Sequence, residues 1–169
     1  MRQSTARSTQ NWMDRERADR ARLYPDEVRV AADLYGSIAA GRRENLERVV
    51  AQARARGREP QVCLYALSID GQVPRASLDA AANYAERQSW HVGPKQSYTD
   101  PNGATAPKGR PGWGLLREQI RAGFAEGVVV ITAAVVSCRI DDYRRELGWF
   151  EEHRRFVALV ASEIIRGRA

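Results

Sequence analysis

Three groups of residues in this 169-residue chain have the type and setting for chemistry. The first is Ser68. In the stretch VCLYALSIDGQ, starting at Val62, an apolar run delivers a hydroxyl to its end and then turns through Ile69, Asp70 and Gly71. A strand that stops at a serine can present a nucleophile, or be an ordinary buried strand ending in an ordinary turn; as a nucleophile, a serine hydroxyl is weak near neutral pH and needs activation. The second group is Lys95, Lys108 and Arg110. They flank KQSYTDPNGATAPKGRPG, a segment rich in Gly, Pro, Ser, Thr and Asn that reads as a long loop. The third is Arg139, just past the apolar run GVVVITAAVV. Cations facing a shared edge could hold an anionic group there. Other reactive residue types do not assemble. His91 and His153 are far apart and lack companions at metal-ligand spacing. Cys63 and Cys138 show no CxxC spacing and read as two buried free thiols. No metal and no cofactor is expected.

The elements that must position these residues can be read from periodicity. Residues 1 to about 24 are polar and Arg-rich, and read as a loose tip followed by a solvated helix. Pro25 can open the next helix from its first turn. Ala31, Leu34, Tyr35 and Ile38, then Leu46, Val49, Val50 and Ala53, recur at spacings of three and four, an amphipathic stripe. Gly41 is a place to divide it in two, and Gly57 and Pro60 end it. From residue 61 the texture changes. VCLYALS is a buried strand, and Ser77 is placed to cap a helix reaching about Arg87. WHVGP is a short second strand before the long loop. Trp113, Leu116, Ile120 and Phe124 mark a helix, and GVVVITA is a strand apolar enough to be covered on both faces. Asp141 or Asp142 starts another helix, and RFVALVA is a last strand.

The order β-α-β-loop-α-β-α-β predicts an α/β fold, with a mainly parallel sheet of about four strands and helices on both faces. The division expected is a helical, Arg-rich extension over 1–60 and an α/β domain over 61–169. Ligands of open parallel sheets sit beyond the carboxyl ends of the strands, so Ser68, the Tyr98–Gly112 loop and the Ala133–Arg139 segment should share that edge.

Composition bounds the partners. The formal net charge is +6, which suits an anionic partner, yet all but two of the 27 basic residues are arginine, a bias that a GC-rich genome also produces. The run RRENLERVVAQARARGR resembles a basic face for nucleic acid, but Glu44 and Glu47 interrupt it, and a solvated helix face is the plainer reading. Trp113 and Trp149 are expected in the core. No apolar run reaches the roughly 18 residues of a membrane helix. The N-terminal MRQSTARSTQNW has no apolar signal region, so no membrane and a cytoplasmic location are expected.

Four stretches from about residue 62 to 160 resemble the catalytic domain of serine recombinases, the resolvase/invertase family. LYALSIDGQ resembles the family's first strand, which ends at the catalytic serine. SLDAAANYAERQSWHV is similar to the helix and second strand that follow. GRPGWGLLREQIRAG carries the family's Arg-Pro-Gly turn and its helix, the most specific of the four. GVVVITAAVVSCRIDD is similar to the third strand and its exit. The resemblance implies a resolvase-like fold with Ser68 at the nucleophile position, attacking DNA phosphate. It also implies an arginine two residues before the serine, and an Asp-Arg pair plus a further arginine after the third strand. Here those positions hold Ala66, Ala134, Val135 and Cys138, and Arg139 falls one residue late. The family continues into a long helix and a DNA-binding module, whereas this sequence stops at Ala169 and carries about sixty residues in front.

The expectation is a recombinase-like domain that has lost catalysis and acts by binding, as a DNA-associated regulator or an interaction module. DNA contact would be weak and indifferent to sequence, through Lys95, Lys108, Arg110 and Arg139. Self-association or a protein partner would use residues 25–57. The alternative is an active recombinase that cleaves and exchanges DNA strands through a phosphoserine linkage at Ser68. An unrelated nucleotide-binding α/β module finds little support, since no glycine-rich phosphate loop follows any strand.

Overall fold

Period-two burial organises the sheet. Along β1 (Gln61–Ser68), Val62 and Leu64 enter one apolar cluster while Cys63 and Tyr65 enter another. The same alternation runs through β3 (Gly127–Val130) and β4 (Phe156–Leu159), every residue of which is buried. Strands covered on both faces need helices on both faces. A computed structural model describes residues 18–19, 22–103 and 105–163, with the side chains of 25–32 excepted. The elements are α1 (Pro25–Ala55), β1, α2 (Arg75–Arg87), β2 (His91–Pro101), a 3-10 turn at Pro107–Gly109, α3 (Pro111–Arg121), β3, α4 (Ala133–Val136), α5 (Ile140–Glu152) and β4. The strands lie in the order β2-β1-β3-β4, all parallel. This is the expected α/β architecture.

One face of the sheet is covered by Leu46, Val49 and Val50 of α1 and by Leu78, Ala81 and Ala85 of α2, around Trp90 and Phe156. The other is covered by Trp113, Leu116 and Ile120 of α3 and by Tyr143 and Phe150 of α5. Trp113, Tyr65 and Phe150 meet in tilted and edge-on pairs. Gly127 lies against the Phe156 ring so closely that a Cβ would stand 2.5 Å from it, so β3 and β4 admit only glycine there.

Several sequence expectations are corrected. The stripe over Ala31–Ala53 is one unbroken helix, because Gly41 is only a weak breaker inside 31 helical residues. Ser77 lies inside α2, which begins at Arg75. Phe124 falls past the end of α3 and is exposed. The long loop is shorter than predicted, because β2 runs to Pro101. The pairing steps from Val62↔Val92 to Leu64↔Ser97, so Gly93–Gln96 bulge out of the ladder, and the Gly-Pro pair there hides the strand from a periodicity reading. Cys138 is exposed rather than buried, while Cys63 is buried.

The chain divides into two compact units, Met1–Ser37 and Ile38–Ala169. The sheet unit therefore takes in residues 38–55, which the sequence assigns to the extension. The reason is physical. Val49 and Val50 cover the sheet, Arg42 pairs with Glu163, and the Asn45 amide donates to Arg155 O at 2.7 Å. Much of the stripe proposed for a partner is thus engaged within the chain. The reading of the first 24 residues lies mostly outside the described residues.

A chain starting at Ile38 should keep a single cooperative urea transition. One starting at Gln61 should lose it, because the sheet face would be stripped of α1. Circular dichroism against urea distinguishes the two.

Candidate functional site at the carboxyl edge of the sheet

Strand order places a topological switch between β1 and β3, whose outgoing connections leave in opposite directions, and such a switch opens a crevice at the carboxyl ends. Ser68 is the last residue of β1 and is half-buried there. After it, Asp70 and Gly71 both take left-handed conformations, and Gln72 N–H bonds back to Ile69 O at 3.1 Å. The result is a tight hairpin turn with Ile69 and Val73 exposed. The Ser68 hydroxyl donates to the main-chain Asp100 O at 3.4 Å, a long bond. Among the described residues no cation or base is bonded to that hydroxyl. Ser68 also has no pairing with either histidine.

The best-organised group at this edge is Asp100, near the end of β2 and 4% exposed. Its carboxylate accepts from Tyr65 OH, Gly112 N–H and Trp113 N–H, each at 2.8 Å. The two amides belong to the first turn of α3, where helix donors lack partners and the macrodipole favours an anion. A Cβ on Gly112 would collide with Thr99 O and lie 2.8 Å from Asp100 Oδ2. The Arg-Pro-Gly turn is thereby explained: Pro111 opens the helix, and Gly112 lets it approach the carboxylate. Burial, reinforced by Asp100, holds the Tyr65 hydroxyl well above its ordinary pKa, so it stays a donor. Sequence reasoning missed Asp100. Its partners, two main-chain amides and a tyrosine, form no sequence motif.

The basic candidates scatter. Arg110 is buried, and its Nε and Nη1 donate to Thr105 O at 3.0 Å, Val135 O at 2.7 Å and Val136 O at 2.9 Å. It ties the loop before α3 to the last turn of α4. Lys108 is exposed on the 3-10 turn, and Arg139 is exposed ahead of α5, within 3.9 Å of Asp142. Lys95 stands apart. It sits in the β2 bulge beside Cys63, roughly five strand residues or about 16 Å short of Ser68. Ala134 and Cys138 are exposed and Val135 is half-buried. Burial pushes the Cys63 thiol up to about 12, so it is no nucleophile; its Sγ meets Gln96 Oε1 at 3.0 Å. Among the described residues no cluster of three His, Cys, Asp or Glu could hold a metal. No described helix is long and apolar enough to cross a membrane.

A second polar cluster closes the edge beyond β4. The Glu163 side chain is fully covered and accepts from Arg42 through two nitrogens and from Tyr143 OH at 2.7 Å. Burial pushes its pKa up, but the hydrogen bonds from Arg42 and Tyr143 outweigh it and hold the carboxyl below the ordinary range. The pair fastens the segment after β4 to α1 and α5.

No family model matches the sequence, and no curated protein matches it. Among solved structures, the chain is similar to the N-terminal catalytic domain of TP901-1 integrase, with 24% identity over 60% of this chain and 78% of that one, and a TM-score of 0.52. It is also similar to the C-terminal catalytic domain of ISC1926 TnpA, an IS607-like serine recombinase. There the identity is 12% over 60% of this chain and 71% of that one, with a TM-score of 0.53. The fold is that of serine recombinase catalytic domains.

Four substitutions test this geometry. Asp100→Ala should lower the melting temperature steeply, because two backbone amides and a hydroxyl are orphaned at about 1–3 kcal/mol each. Gly112→Ala should do likewise, and Tyr65→Phe, which removes one bond of three, should cost about 1 kcal/mol. Glu163 predicts a pH effect. A depressed folded pKa contributes stability that is present above the unfolded value and lost as pH falls through the folded one. Acid unfolding of Glu163→Gln should therefore be shallower than that of the unaltered chain, with less stability at neutral pH.

Proposed function

We propose that this chain is a recombinase-like domain that does not cleave DNA and works by binding. The observation that carries the reading is the environment of Ser68. Its hydroxyl stands where the family resemblance expects a nucleophile, yet its partner is a main-chain carbonyl at 3.4 Å. A carbonyl can neither lower the hydroxyl pKa nor offset charge on a phosphoryl group. Ala66, Ala134, Val135 and Cys138 occupy the positions at which the resemblance places charged groups. Arg110, the buried candidate, makes three donor bonds to carbonyls. Losing one transition-state contact costs roughly a hundredfold or more in rate, and several absent together end turnover.

Binding rests on what is left. The net charge of +6 and the exposed Lys108 and Arg139 suit a phosphate backbone, and the integrase and recombinase likeness makes DNA the first polymer to try. Contact of this kind is salt-sensitive and indifferent to sequence.

Purified chain mixed with supercoiled plasmid and quenched in detergent tests both halves. The expected outcome is intact plasmid, no covalent protein–DNA adduct, and a mobility shift that weakens with salt and is unchanged by Ser68→Ala. Nicked DNA with attached protein, lost in Ser68→Ala, would show an active recombinase instead.

A further inference from the structure

The edge of the sheet opposite Ser68 gathers four arginines, Arg56, Arg58, Arg154 and Arg155, around one cleft. Arg155 immediately precedes β4 and Arg58 lies three residues before β1, so they mark the amino-terminal edge. A cleft of about 210 Å3 there is lined by Arg56, Arg58, His153, Arg154 and Arg155, with Glu126 as the one carboxylate. Glu126 is already engaged. It pairs with Arg58 and accepts from Gln61 N–H at 2.7 Å. Arg155 Nε is buried and has no partner among the described residues. Neither Arg56 nor Arg154 makes a side-chain hydrogen bond or ion pair among the described residues, and both are exposed.

Helix carboxyl ends favour cations, and that accounts for part of this charge. It does not account for all of it. The last turn of α1 already has Arg54, which is bonded to Glu59 and to Gln88 O. Arg56 and Arg58 lie past Ala55, and Arg154 and Arg155 lie past Glu152. Converging like charges repel, and a bound anion relieves that repulsion. Guanidinium forks match phosphate oxygens in number and plane. A wider opening of about 710 Å3 adjoins the cleft, shares Arg58 and Glu126 with it, and is bordered by His91 and the exposed Phe124. That opening also carries Glu59, which is already paired with Arg54, and the two openings together offer more room than one ion needs.

We propose that this amino-terminal-edge cleft binds the phosphates of a nucleic-acid backbone, on the side of the sheet away from Ser68. It would serve a phosphate polymer whether or not Ser68 is chemically active.

The test uses the full chain and the double variant Arg56→Gln/Arg154→Asn. Both positions are exposed and unpaired among the described residues, and Asn tolerates the left-handed conformation that Arg154 adopts at φ 55°. The melting temperature of the variant should match that of the unaltered chain, and Arg56→Gln alone serves if it does not. Binding of a fluorescein-labelled duplex is followed by anisotropy across a salt series, with inorganic phosphate titrated separately by calorimetry. Losing two phosphate contacts should flatten the slope of log K against log salt by about 1.8. Unchanged duplex binding with lost inorganic-phosphate binding would keep the anion site but overturn the backbone as its ligand. Unchanged binding of both would overturn the proposal outright. The control Lys108→Ala/Arg139→Ala separates it from the carboxyl-edge reading: if only that pair weakens duplex binding, the carboxyl edge is the DNA surface and the cleft is not. A protein that binds no duplex at all would overturn both.

Discussion

The carboxylate of Asp100 is the joint on which the edge of this fold depends. It is a buried charge, and a buried charge is tolerable only when its hydrogen-bonding capacity is filled. Here a tyrosine from β1 and two amides from α3 fill it. One group thus fixes where β2 ends, where α3 begins and how both sit against the central strand. Arg110, the residue before Pro111, then reaches across to the carbonyls that end α4. The loop between β2 and α3 is pinned at both ends, so the crevice beside Ser68 has a set shape.

That arrangement also explains why an arginine at this edge is not automatically a phosphate ligand. A guanidinium has five donors in a plane. In Arg110 the Nε and Nη1 groups are directed to main-chain oxygens, and the residue is 7% exposed. Turning it toward a ligand would break three bonds and orphan the buried Val136 carbonyl. Arg139 and Lys108 have the opposite character: exposed, weakly held and free to follow an anion, but without the rigid placement that transition-state stabilisation needs.

The sequence made the sheet legible because its strands are short, apolar and separated by helical periods. Val128–Val130 and Phe156–Leu159 admit no other reading once a helix lies between them. The second strand was less legible, since Gly93 and Pro94 sit in a bulge and break the pattern that continues beyond it. The helix through Gly41 was misjudged because local propensity is weaker than packing. Arg42 and Asn45, just past that glycine, are anchored to the sheet unit through Glu163 and Arg155 O. For the site, Ser68 was visible from strand-end placement alone. Asp100 was not, because its partners are main-chain amides, which every sequence contains and no motif marks.

The same limit applies to the basic residues. RRENLERVVAQARARGR reads as one solvated face, but its members have separate fates. Arg42 is buried against Glu163, Val49 and Val50 cover the sheet, Arg54 caps a neighbouring turn, and Arg56 and Arg58 enter the amino-edge cleft. What joins Arg56 and Arg58 to Arg154 and Arg155 is the parallel sheet. Each of α1 and α5 leads into a strand of the same direction, so both end at the same edge, although about a hundred residues separate Arg56 from Arg154. Charge concentrated by topology leaves no local signature. An electrostatic surface on a fold of this kind is therefore set by which helices end together, and less by how many arginines any one segment holds.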